Sequence, residues 1–193
     1  MKLISLQSVR EASDRIKDVV VNTPFSYAPH LSEASGCEVY LKKENLQNTG
    51  AFKLRGAYNK LSTLSEEQRA CGVVAASAGN HAQGVAFSAS KFNVKAVIVM
   101  PESTPLNKIN GVRRYGAEVI LKGSNYDEAY AYALEYGEKR KLTFVHPFED
   151  EEVMAGQGTI ALEILEKCQD LDAVLIPVGG GGLISGMGSA IKN

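Results

Sequence analysis

The sequence predicts an α/β fold: an open, doubly wound parallel sheet with helices on both faces. From Val73 onward, five short runs rich in β-branched residues are apolar throughout rather than alternating. That is the pattern of strands covered on both faces. Between these runs lie longer segments with apolar residues at helical spacing, and strands that alternate with helices pair in parallel.

Each element can be justified in chain order. A helix is expected over 8–20, a turn at Asn22-Thr-Pro24 and a strand at EVYLKKE (38–44). A second helix starts near Ala51, with Leu54, Ala57, Tyr58 and Leu61 along one face. GVVAAS (72–77) and KAVIVM (95–100) are buried strands flanking a helix through 82–92. Ser103 or Thr104 can cap the next helix, with Pro105 in its first turn, and Gly116 ends it where a left-handed residue is required. AEVILK (117–122), a helix over 126–140 and LTFVHP (142–147) follow. A helix through GTIALEILEKC (158–168) and a strand at LDAVLIPV (171–178) complete the pattern.

Composition excludes several classes. With 193 residues, 45% apolar and 22% charged, the chain can bury an ordinary core. A net charge of −1 gives no footprint for nucleic acid or for an anionic membrane. Cys37, Cys71 and Cys168 are widely spaced and form no CxxC pair, so neither a zinc site nor a disulfide framework is expected. The N-terminal apolar run is too short for a signal peptide, and no stretch has the roughly 20 apolar residues of a membrane helix. A cytoplasmic protein is expected.

Three glycine-marked places stand where open α/β sheets bind ligands, at or after the carboxyl ends of strands. In VGGGGLISGMG (178–188), Gly179, Gly180, Gly181 and Gly182 separate a strand from a helix. Their amides and the helix start form a nest suited to phosphate. The segment is neither a Walker A loop nor GxGxxG, so neither a nucleoside triphosphate nor a dinucleotide is indicated. A flexible turn is the bland alternative.

In SAGNHAQG (77–84), Ser77, Asn80 and His81 gather at a helix start and could hold a carboxylate. Taken alone, simple helix capping explains them as well. In TGAFKLRGA (49–57), Lys53 sits among small residues, with Gly56 and Ala57 three and four positions on. Room beside a partly desolvated lysine favours a neutral, nucleophilic amine able to form a Schiff base. The bland alternative is a solvated lysine, the state expected of Lys42, Lys43 and Lys60. A Schiff-base lysine, a phosphate nest and a carboxylate loop together fit pyridoxal 5′-phosphate acting on an amino acid.

TGAFKLRGA, SAGNHAQG, AGQGT (155–159) and GGGGL (179–183), in this order, resemble the motifs of pyridoxal-phosphate enzymes of the tryptophan-synthase-β fold type. The likeness is strongest to serine/threonine dehydratases and covers essentially the whole chain. It implies that Lys53 carries the cofactor, with Phe52 packed beside it. Asn80 would meet the ring hydroxyl, and Gly179 to Gly182 with Leu183 would cradle the phosphate. Ser77, Asn80 and His81 would hold the substrate carboxylate, while AGQGT would shape a helix start without chemistry.

The implied reaction is β-elimination of L-threonine to 2-oxobutanoate and ammonia, and of L-serine to pyruvate. Ala78 occupies the place where related serine racemases carry a second, proton-donating serine, so elimination is expected over racemisation. Two domains are expected: a larger one from 1–71 and 150–193, incomplete here, and a smaller one over 72–149. The likeness also implies a longer enzyme of which this is an N-terminal fragment, a homo-oligomer (dimer or tetramer) at full length, with an amino acid as its small-molecule partner. Two alternatives stay open. One is a serine racemase or β-replacement enzyme with the same cofactor; the other is a non-catalytic phosphate-binding fragment or scaffold.

Overall fold

A computed structural model describes residues 4–192; Met1 to Leu3, part of the N-terminal run read for a leader, and Asn193 lie outside the described residues. The centre is a four-stranded parallel sheet of β3 (Val73–Ala76), β4 (Ala96–Met100), β5 (Glu118–Leu121) and β6 (Thr143–Phe144), in spatial order β5-β4-β3-β6. Alternate residues of β3 explain its apolar composition. Val73 and Ala75 point into a core shared with α5 (Asn80–Phe92) and α6 (Leu106–Arg113). Val74 and Ala76 point the other way, against Ala129 and Ala133 of α7 (Tyr126–Arg140). The α/β class with helices on both faces is therefore what the chain adopts.

Around this sheet lie α1 (Leu6–Ile16), α3 (Lys53–Ser62), α8 (Glu151–Lys167) and α9 (Gly182–Lys192). A third core gathers Val9, Met154, Ile160, Ile164 and Met187 between α1, α8 and α9. Among the described residues, four short elements escaped the sequence reading: β1 (Phe25–Tyr27), α2 (Pro29–Ser35), a 3₁₀ turn (Glu44–Leu46) and α4 (Glu66–Cys71). β1 pairs antiparallel with β2 (Tyr40–Lys42), shorter than the strand expected over 38–44. Gly116 takes the left-handed conformation expected of it, at φ +81°. The preceding helix, however, is capped by neither Ser103 nor Thr104: Pro105 is its N-cap residue and no side chain caps it.

Two expectations fail for a physical reason. Residues 171–178 form no ladder, because no described strand lies in register beside them; Leu175 is 92% exposed and Val178 62%. α8 begins at Glu151, seven residues before the expected start at 158, because the Asp150 carboxylate accepts from the Glu152 and Val153 amides and caps it there. AGQGT consequently lies inside a helix, not at its start.

Candidate active site

The sheet order places a topological switch between β3 and β6: the chain leaves β3 toward β4 and β5, then returns to pair β6 on its other side. Ligands of open α/β sheets bind at the carboxyl ends beside such a switch. The residues that follow β3 and β6 meet there. His81, in the first turn of α5, holds its Nε2 2.8 Å from the carbonyl oxygen of Val145. A carbonyl only accepts, so Nε2 carries the proton and the neutral ring leaves Nδ1 as a buried acceptor with no partner. Burial pushes the His81 imidazole down to about 4, opposed by its bond to Val145 and assisted by the charge of Lys53.

Lys53 is the first residue of α3 and is half-buried; its Nζ donates to the carbonyl of Pro147 at 2.7 Å and lies 5.5 Å from the centre of the Phe52 ring. Desolvation lowers its pKa, the direction that favours a neutral amine. The glycine run reaches the same turn. Phe148, the residue after Pro147, lies so close to Gly180 that a Cβ there would collide with its ring. At Gly182, a Cβ would come within 2.9 Å of the Phe148 backbone. Lys53 and the glycine run thus touch successive residues of one turn.

Gly181 has φ +88°, the left-handed geometry of an anion-binding nest, and α9 starts at Gly182. Among the described residues, the amides of Gly179, Gly180 and Gly181 donate to no protein group. Leu183, next along, packs its side chain against the core of α1, α8 and α9 and anchors the run. After β3, no side chain caps α5; Ser77 Oγ accepts from the Gly79 amide instead, and Asn80 is exposed. Capping therefore does not account for Ser77 and Asn80. These free amides and the Lys53 amine are a donor set that fits a phosphorylated aldehyde.

Two sequence readings are corrected here. Gly56 does not clear space for Lys53; a Cβ there would meet Gln157 Nε2 and the Val153 carbonyl at 2.5 Å, so its smallness serves the crossing of α3 with α8. Ala57 is buried in the core beneath the sheet. Lys42 and Lys60 are not free, solvated lysines but ion-paired: Lys42 pairs with Glu163 at 2.5 Å and Lys60, partly exposed, with Asp150 at 2.7 Å. His146, which carries no motif, stands in the site. Its signal was positional: it lies next to the last residue of the run LTFVHP, where the rule about strand ends that singled out the other loops applies equally.

The chain belongs to the pyridoxal-phosphate dependent enzyme family, whose model matches residues 16–193. It is 57% identical to an L-threonine ammonia-lyase of Thermotoga maritima over 191 residues, 99% of this chain and 48% of that one. Among solved structures, it is similar to the processed form of threonine deaminase isoform 2 from Solanum lycopersicum, with a TM-score of 0.93, 46% identity and coverage of 96% and 52%. Maize serine racemase superposes with a TM-score of 0.95 at 35% identity, covering 99% of this chain and 58% of that one. The chain spans about half the length of the curated relatives it matches. Among the described residues no helix is long and apolar enough to cross a membrane.

Proposed function

We propose that this chain supplies the Lys53-bearing part of an ammonia-lyase acting on L-threonine, giving 2-oxobutanoate and ammonia, and on L-serine, giving pyruvate. The observation that carries the proposal is the Pro147-Phe148 turn, which joins the half-buried Lys53 amine to the glycine run. When bound, pyridoxal phosphate supplies an aldehyde that binds amines and a ring that accepts electron density from the substrate Cα. The protein does the rest. The amides of Gly179 to Gly182 hold the phosphate, and Phe52 flanks the lysine against water.

Ser77, Asn80 and the uncapped amides of α5 bind the substrate carboxylate. His81 contributes to that binding through its backbone N–H, because its ring has no proton left to donate on the open side. Lys53, kept toward the neutral form by burial, takes the Cα proton. Departure of the β-hydroxyl completes the elimination, and hydrolysis of the released enamine gives the oxo acid and ammonia.

The domain division that goes with this reading is 1–71 with 150–193 against 72–149, the site lying between. A homo-oligomer and a cytoplasmic location belong to the same proposal. The likeness to serine racemases makes reaction choice the point to test. Ala78 is partly buried against the sheet core and offers no proton to the opposite face of the substrate. With the full-length holoenzyme, L-threonine should yield 2-oxobutanoate, and L-serine should yield pyruvate without D-serine. D-Serine as the main product would overturn the lyase assignment. Ala78→Ser should introduce measurable D-serine.

A further inference from the structure

His146 is unused by the mechanism above. Its Nδ1 lies 2.7 Å from the amide nitrogen of Glu149 and 3.2 Å from that of Phe148. Both are donors, so Nδ1 holds a lone pair and the neutral ring carries its proton on Nε2. The ring stands edge-on to Phe148 at 4.6 Å and to Tyr130 at 5.9 Å, with Phe144 at 6.1 Å. An apolar side chain would suit those neighbours, but none could accept from two amides. The turn shaped this way contains Pro147, whose carbonyl takes the Lys53 amine, and Phe148, which lies against Gly180 and Gly182.

We infer that His146 is a positioning residue: by accepting from the Phe148 and Glu149 amides it sets the 146–149 turn, which holds the Lys53 amine and the glycine run in register. The inference rests on the proposal that these two form one site. It also makes the turn sensitive to acid, since a proton on Nδ1 would replace the acceptor by a donor facing two donors. The charged and titratable groups around the ring are Lys53 from α3, His81 from α5, Tyr130 from α7, and Glu149 and Asp150 from its own loop. Burial holds the His146 pKa below its ordinary value, with Glu149 and Asp150 opposing and Lys53 assisting. The neutral ring therefore prevails above the usual imidazole range, and the turn loosens as pH falls below it.

The test is amide hydrogen exchange at Phe148 and Glu149 in the full-length holoenzyme, between about pH 7 and about pH 5. After correction for intrinsic rates, wild-type protection should drop on the order of tenfold on acidification. His146→Phe should lack that protection at neutral pH and lose turnover. His146→Asn, whose side-chain oxygen accepts and does not titrate, should keep protection and flatten its pH dependence. Equal protection in wild type and His146→Phe overturns the inference. Should that variant not fold, His146→Asn decides: a pH dependence flattened relative to wild type supports the inference, and one equal to wild type, as protonation of His81 alone would give, overturns it. Absence of cofactor label from Lys53 would sink the proposed function instead, while the two amides still report on His146.

Discussion

Arg55 is the largest fully buried side chain, two residues beyond Lys53. It donates to Glu44 at 2.8 and 2.9 Å and to Glu163 at 2.5 and 3.0 Å, with Thr159 at 3.1 Å. Burial alone would lower its pKa, but the two carboxylates outweigh burial and hold it raised. Removing one partner of such a set strands buried charge, so Arg55→Met should destabilise the fold by about 3–5 kcal/mol in denaturant titrations. A loss below 1 kcal/mol would show the network to be solvated. His81 gives a pH prediction. Its folded pKa of about 4 lies below the ordinary 6.5, so the unfolded chain binds the extra proton. Its contribution is complete above 6.5 and is lost as pH falls toward about 4. Urea midpoints should fall across that window, and His81→Gln should reduce the slope. Lys53 was legible because lysine among small residues is locally odd; His146 was not, because its meaning depends on a turn that folds around it.

Helix contacts explain three further glycines. A Cβ at Gly156 would come within 2.6 Å of the Arg55 carbonyl, one at Gly158 within 2.8 Å of the Gly186 carbonyl, and one at Gly186 would strike the Met154 carbonyl. These are backbone atoms that cannot swing aside, so the three glycines set how closely α8 meets α3 and α9. Gly156→Ala should cost about 1–3 kcal/mol and displace α3, lowering turnover as well. Gly79→Ala is the matched control: nothing lies within 4 Å of its would-be Cβ, so thermal stability should hold. AGQGT was misread as a helix start because spacing alone cannot separate a turn from a close helix crossing. The true start was legible in Asp150-Glu151-Glu152, an N-cap followed by an acidic first turn.

Across the whole molecule, the parallel sheet and its flanking helices were readable because each strand's apolar run is local. Pairing is not local, and the run over 171–178 shows the difference: its composition is that of a buried strand, yet it forms no ladder. Beside it, Ile4, Met154, Leu171, Val174, Ile176 and Ile184 line a cavity of about 860 Å³ whose lining does not include Lys53. Size therefore does not locate the chemistry here; the switch between β3 and β6 does. Leu175→Ser should change the stability of this 193-residue chain by less than about 0.5 kcal/mol, as for other exposed positions. The central claim is that the Lys53 amine holds the cofactor within reach of the glycine run. Borohydride reduction of the full-length holoenzyme, followed by peptide mass mapping, tests it most directly. The account predicts the reduced pyridoxyl group on Lys53 and its loss in Lys53→Ala; a label on any other lysine, with Lys53 unmodified, would contradict it.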